Sequence, residues 1–214
     1  MKRVFAAFLA TIGLTASVAH ANLLSNGDFN DPNSVAAPTA WSTWSYGGGW
    51  ANHQTNTAPS LVADGVDGTW YMACGGGSSA GGGVYQTVPG IAGDTYKLTV
   101  DSGAQAWWLP YGEMRLFFFD AGNNQLAESV QSTVDPAVYG QNYDIAHPWA
   151  SFTLSAVAPV NTASVKVEFA EPNGTGTVWF DNADLEVVPE PGTLSLVVGG
   201  LAFLGYGFRR ARRS

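Results

Sequence analysis

Cysteine is nearly missing from these 214 residues. Cys74 stands alone, so no internal disulfide can form, and the fold must be held by its core and by any metal ions it takes. At the end of "TWYMAC" it reads as buried and inert, with an intermolecular link or a reactive thiol as the alternatives. Basic residues are just as scarce between positions 22 and 188, where Lys97, Arg115 and Lys166 stand against 16 acidic residues, a balance of −13. Such a surface repels phosphate backbones and excludes nucleic acid as a partner, while it suits neutral or cationic ligands and divalent metals. His53 and His147 are isolated, and no G-x-S-x-G, H-E-x-x-H or Cys-His arrangement occurs. His147, ahead of Pro148, reads as a loop residue. No carboxylate pair stands out as a glycosidase's would, so no enzyme activity is expected. The glycine clusters, 47–49 and 75–83, carry no lysine and lead into no helix, which excludes a P-loop. They are expected to be flexible loops at the edge of the fold. Helical i, i+3, i+4 periodicity is also missing from 22–188.

What is present begins at the ends. Lys2 and Arg3 precede an apolar stretch from Val4 to Val18 and then Ala19-His20-Ala21, the order of a secretory signal peptide with an A-x-A cleavage site. Residues 1–21 are therefore expected to be removed, leaving Asn22 first. A retained membrane helix is the alternative, and the stretch is shorter than the ~20 residues that spanning needs. At the other end, residues 193–208 are apolar and uncharged, followed by Arg209, Arg210, Arg212 and Arg213. As a short hydrophobic helix this segment would reach about 24 Å at ~1.5 Å per residue, less than a ~30 Å hydrocarbon core. It inserts only with snorkelling arginines or local thinning, and the arginines would keep the body of the protein outside. Pro189-Glu190-Pro191 continues neither strand nor helix, which leaves it extended and open to a protease.

Pro-Glu-Pro, a glycine-containing apolar segment and a terminal arginine cluster, together with the signal peptide, resemble the PEP-CTERM sorting signal of Gram-negative bacteria. The resemblance covers residues 189–214. It implies recognition by an exosortase, a membrane-embedded cysteine protease, with transient inner-membrane anchoring, loss of the tail and release to the cell surface or extracellular matrix.

Residues 22–188 fit one domain. Period-two alternation dominates them: Tyr96, Leu98 and Val100 against Lys97, Thr99 and Asp101, and Val165, Val167 and Phe169 against Lys166 and Glu168. "WASFTLSA" and "GTVWFDNADLEV" repeat the scheme. "MRLFFFD" places apolar groups on both faces, as a strand covered on both sides would need. Turn signals at Pro89-Gly90 with Gly93-Asp94, at 121–124 and at 172–174 separate the runs, and the last two read as hairpin turns. The fold class expected is all-β, an antiparallel β-sandwich of jelly-roll type.

Eight tryptophans crowd into this region, more than its core needs. Two clusters, "WSTWSYGGGW" at 41–50 and "WWLPYGE" at 107–113, offer flat rings that stack on pyranose faces, with amide or carboxylate groups for the hydroxyls. Trp44, Tyr46, Trp50, Trp107, Trp108 and Tyr111 are the candidate ring contacts, with Gln105 and Glu113 as polar partners. Adjacent Trp107 and Trp108 cannot both face the core of a strand. The alternative is that these clusters cap the ends of the sandwich and bind nothing.

"NLLSNGDFNDP", "VYQTVPGIAGDTYKLTVDSGA" and "VWFDNADLEVV" occur in an order that resembles the jelly-roll carbohydrate-binding modules of bacterial glycoside hydrolases, across 22–188. The resemblance implies a P-G-x-x-Y-x-L hairpin, a core role for Trp41 and a structural Ca²⁺ joining the first and last strands. Its ligands by that analogy are Asp28, Asn30, Asp64 and Asp181, since Ca²⁺ takes six to eight oxygens. Asn30 stands where the family usually has Glu, and ordinary Asx turns without metal are the alternative. The function expected is non-catalytic binding of a polysaccharide or cell-surface glycan in a matrix or biofilm setting. The other class is a structural surface protein acting by self-association or protein contacts.

Overall fold

Ten strands form among the described residues: alternation commits one face to burial over residues 95–100, whereas Trp70–Gly76 is buried on both faces. The computed structural model describes residues 21–30, 37–55, 70–77, 79–104, 110–134, 147–173 and 175–188. The strands are β1 (Ser42–Tyr46), β2 (Trp50–Thr55), β3 (Trp70–Gly76), β4 (Gly81–Pro89), β5 (Thr95–Ala104), β6 (Gly112–Phe119), β7 (Gln125–Val134), β8 (His147–Val157), β9 (Ser164–Glu171) and β10 (Gly176–Val188). They form two five-stranded sheets, β1-β4-β9-β6-β7 and β2-β3-β10-β5-β8, in which every pairing is antiparallel. No helix occurs among the described residues, so the all-β sandwich expected from the sequence is the fold observed. The signal peptide and the C-terminal hydrophobic segment lie outside them.

The core lies between the sheets and is built from the alternating residues. Tyr96, Leu98 and Val100 of β5 face Val165, Val167 and Phe169 of β9 and Met114, Leu116 and Phe118 of β6. Phe169 and Phe180 stack across the core at 5.2 Å. Trp41 is buried against Phe29 and Phe169, its indole N–H donating to the Asn26 carbonyl at 3.0 Å, which is the core role expected of it. Cys74 is fully buried, and burial pushes its thiol well above the usual cysteine range. In β10 the pattern changes phase at a bulge between Asp181 and Asp184, where Asn182 has φ 50°. One extra residue there lets Val178 and Phe180 before it, and Ala183 and Leu185 after it, all reach the core.

Four local expectations are corrected. The turn 121–124 does close a hairpin, β6 to β7, with Asp120 accepting from the N–H groups of Gly122 and Asn124. Pro172-Asn173, in contrast, leads from β9 in one sheet to β10 in the other, so no hairpin forms there. Pro89-Gly90 likewise arches from β4 to β5 across the sandwich, pinned by Gly90 N–H to the Ala163 carbonyl and by the Ile91 N–H to Tyr96 Oη, both at 2.9 Å. The second glycine cluster is mostly strand: Gly75 and Gly76 end β3 and Gly81, Gly82 and Gly83 begin β4. They are glycines because other chain passes too close for a Cβ; one on Gly82 would overlap the Trp50 carbonyl. His147 opens β8, paired with Ala104, rather than lying in a loop.

The N-terminal segment closes the sandwich beside β10. Asn22 Oδ1 accepts from the Leu24 and Leu185 N–H groups at 2.9 and 3.0 Å, and its Nδ2 donates to the Ala183 carbonyl at 2.8 Å. Leu23 N–H donates to the Leu185 carbonyl at 2.9 Å, while Leu24 and Phe29 enter the core. Two poles result. One gathers the turns at 90–94, 120–124 and 158–163 with the end of β10; the other gathers the turns at Gly47–Gly48 and at Gly77 and Ser79.

Candidate functional site

Cross-strand register decides which side chains share the outer face of the first sheet. One row across it runs Trp44, Gly83, Ala170, Glu113 and Ser132, and the next runs Ser42, Tyr85, Glu168, Arg115 and Val130. Because Gly83 has no side chain, the Trp44 indole lies directly over β4: a Cβ at Gly83 would come 2.7 Å from its Cε2 and Nε1. The Trp44 indole N–H is buried and has no hydrogen-bond partner among the described residues. Two residues along β1, Tyr46 lies parallel to Trp44, with ring centroids 6.0 Å apart and an interplanar angle of 3°. The Tyr46 hydroxyl donates to the Pro172 carbonyl, which fixes its ring.

Beside the rings is an ordered charge network. Arg115 Nε donates to Glu113 at 2.7 Å and its Nη1 to Glu168 at 3.2 Å, while Lys166 Nζ donates to Glu168 Oε2 at 3.0 Å. Glu113 and Glu168 are both mostly buried, and these donors satisfy carboxylates that have little contact with water, the Glu113 side chain keeping 11% of its surface exposed. Lys166 Nζ also sits 4.0 Å over the Phe117 ring and 5.3 Å from that of Tyr85. Phe117, expected to need a covering layer, is covered by this lysine. Tyr111 closes the end of the face, its hydroxyl 3.1 Å from Ser132 Oγ.

The outer face of the second sheet carries a separate aromatic cluster. Tyr71 and Trp179 are buried there, and Trp50 and Trp149 pack against them, with Trp149 and Trp179 6.0 Å apart. Nearby, Asn182 Nδ2 donates to Asp101 at 3.0 Å and Ser151 Oγ donates to the same carboxylate. Surplus tryptophan thus serves this second cluster as well as the ring pair.

Among the predicted contacts, Trp44, Tyr46 and Glu113 lie on the same face of the first sheet, Glu113 three strands from the two rings, with Tyr111 at its end beside Ser132. Trp50 does not join them: the chain changes sheet at 47–49 and delivers it to the opposite side of the molecule. Gln105, Trp107 and Trp108 lie outside the described residues. Arg115, Lys166, Glu168 and Tyr85 were not anticipated, although a signal existed. Two of only three basic residues in 22–188 occupy outward positions of neighbouring strands.

For the expected metal ligands, Asp28 is exposed and accepts from the Asn30 backbone and side-chain N–H groups at 3.5 and 3.3 Å. Asn30 Oδ1 accepts from Trp70 N–H at 3.2 Å. Asp181 is buried opposite Asp101 on the outer face of the second sheet, with Asn182 N–H at 2.8 Å. Asp64 lies outside the described residues, and among the described residues no three His, Cys, Asp or Glu side chains converge as a metal centre would. The sorting-motif residues Pro189, Glu190, Pro191, Arg209, Arg210, Arg212 and Arg213 also lie outside them.

No curated protein matches the sequence. Among solved structures, a cyclase from Fischerella sp. TAU aligns with a TM-score of 0.57 and 18% identity, over 78% of this chain and 96% of its own. The enzymatically active domain of tailspike protein 4 from bacteriophage CBA120 aligns with a TM-score of 0.55 and 13% identity over 78% of this chain, which spans 21% of that protein. A family 16 carbohydrate-binding module aligns with a TM-score of 0.52 and 17% identity, over 77% of this chain and 99% of the module. At these identities the likeness is one of fold, and binding modules and enzymes share it. Residues 187–213 match the PEP-CTERM protein-sorting motif, which starts at the last two residues of β10. The chain is therefore a β-sandwich resembling carbohydrate-binding modules that carries a PEP-CTERM protein-sorting motif at 187–213.

Proposed function

We propose that the protein is an exported surface or matrix component that binds carbohydrate without catalysis. The observation that carries this reading is the parallel Trp44–Tyr46 pair, fixed over Gly83 and flanked by the Glu113–Arg115–Glu168–Lys166 network. Rings fixed in parallel on a sheet offer apolar platforms to sugar faces, and immobilised carboxylates and N–H donors offer hydroxyl partners at little entropic cost. Glu113 and Glu168 are tied to the same arginine, which holds them as fixed acceptors rather than as two opposed groups flanking a glycosidic bond. Gln105, Trp107 and Trp108, which precede Tyr111 in the chain, are proposed as further glycan contacts on their chemistry alone.

Processing completes the reading. Removal of residues 1–21 on export and of the tail at 189–214 by an exosortase would leave 22–188 as the working body, first anchored in the inner membrane of a Gram-negative cell and then free in the surface or biofilm matrix. A structural Ca²⁺ is part of the proposal, with Asp28 and Asn30 supplying two of the six to eight oxygens and Asp64, Asp181 or backbone carbonyls the rest.

The test is a tryptophan-fluorescence titration of the protein with a panel of bacterial and plant polysaccharides, beside Trp44→Ala and Trp107→Ala. Saturable binding that a folded Trp44→Ala variant loses supports the reading. No response to any glycan, combined with concentration-dependent assembly, would replace it with a self-associating structural protein.

A further inference from the structure

Apolar side chains left in water are unevenly distributed over this molecule. Of the large hydrophobic residues exposed among the described residues, Ile91, Val157 and Val160 are the most accessible, at 64, 63 and 80%. All three belong to one pole. Ile91 tips the β4–β5 arch and Val160 the β8–β9 turn, and these turns are tied together by Gly93 N–H to the Ala158 carbonyl and Ala158 N–H to the Asp94 carbonyl, both at 2.9 Å. Val157 pairs with Thr95, which pairs in turn with Val188, the last residue of β10. Leu126, also exposed, is the second residue of β7, at the same pole.

The chain leaves the sandwich at this pole toward its apolar tail. Only four residues separate Val188 from the segment 193–208, so even fully extended they span no more than about 18 Å. The N-terminal segment emerges close by, with Leu23 hydrogen-bonded to Leu185 three residues before the end of β10. If the two apolar ends of the precursor insert, the chain connections at Leu23 and Val188 would hold this pole near the bilayer.

We infer that this pole is a membrane-contact surface, with Ile91, Val157 and Val160 seated in the lipid interface while the tail is anchored. The inference rests on the reading of the tail as a transient anchor. Apolar tips reach the interface without carrying the body into it, because Asp94 and Asp120 lie in the same turns and keep contact shallow. With the tail removed, a few aliphatic side chains alone hold a protein only weakly to lipid, so the contact reinforces tethering and does not oppose release.

The experiment uses the full chain in phosphatidylcholine vesicles, with an environment-sensitive fluorophore on Ile91→Cys, Val160→Cys or, at the opposite pole, Gly77→Cys. Cys74 is buried and does not take the label, and near-UV circular dichroism confirms that each variant is folded. The expected result is a blue shift and loss of iodide quenching at positions 91 and 160 but not at 77. Labels at 91 and 160 as accessible as that at 77, in protein that floats with the vesicles and resists alkaline extraction, would overturn the contact while leaving the anchor reading intact. Failure to float overturns both. A blue shift that needs no vesicles and grows with protein concentration assigns the patch to a second copy of the chain and overturns the lipid contact.

Discussion

At Gly83 a single hydrogen separates β4 from the Trp44 indole, whereas at Gly82 the neighbour is the backbone of Trp50. An indole can swing aside and a paired backbone cannot, so the same substitution has two different consequences. Gly82→Ala is expected to lower stability by about 3 kcal/mol, read as a fall in denaturation midpoint. Gly83→Ala should leave the midpoint nearly unchanged and weaken glycan affinity roughly tenfold, about 1.4 kcal/mol, through displacement of the ring. Cys74 yields a second prediction: a thiol this buried, with its pKa raised by desolvation and by the nearby Glu171 and Glu168 charges, stays unmodified by a thiol reagent until denaturant is added. Trp44, Tyr46, Tyr111 and Glu113 were legible as a group because ring-rich and carboxylate-bearing stretches stand out in any strand. Lys166 reads as the solvent side of an alternation, and Arg115 stands in a stretch with apolar groups on both faces. What brings them together as a candidate site is register between β6 and β9, which a sequence does not display.

Strand by strand, β8 from Ser151, β5 up to Asp101 and the start of β9 could be read from period two, since alternate residues there are the more buried ones, whereas from Val167 onward β9 is buried on both faces. Which sheet a strand joins was not legible. Pro-Gly and Pro-Asn sequences turn the chain equally well within a sheet or between sheets, and here the arches at 90 and 172 cross over while 121–124 does not. Glycine is ambiguous in the same way, marking a turn at Gly47 and a close backbone approach at Gly81. The β6–β7 hairpin gives a pH-dependent prediction. Hydrogen bonds from Asn124 and Gly122 hold the Asp120 carboxyl below its ordinary 3.8. Its contribution to stability is therefore complete above that value and is lost as pH falls through the depressed one. Wild type and Asp120→Asn should differ in thermal midpoint at neutral pH and converge below pH 3.8, whereas a constant difference across that range would mean that the charge plays no part.

Across the whole molecule, a body with a balance of −13 places two of its three cations on one face and the third, Lys97, beside Glu186 at 2.8 Å. Elsewhere the acidic surface is uncompensated by the chain itself, the condition under which a divalent cation has most to offer. If Ca²⁺ binds at Asp28 and its neighbours, chelation by EDTA should lower the melting temperature by several degrees and added Ca²⁺ should restore it; an unchanged melting curve would remove the metal from the description. The Leu185 N–H also donates to Asn22 Oδ1, although 163 positions separate the two in sequence, and Leu23 N–H donates to the Leu185 carbonyl beside it. A sandwich whose first and last described segments lie side by side is topologically close to a ring. The sandwich should therefore tolerate having its ends joined by a short linker and reopened at Gly77, where a side chain would meet nothing within 4 Å. For the same reason it should tolerate insertion as a cassette into a loop of another protein without stretching its host.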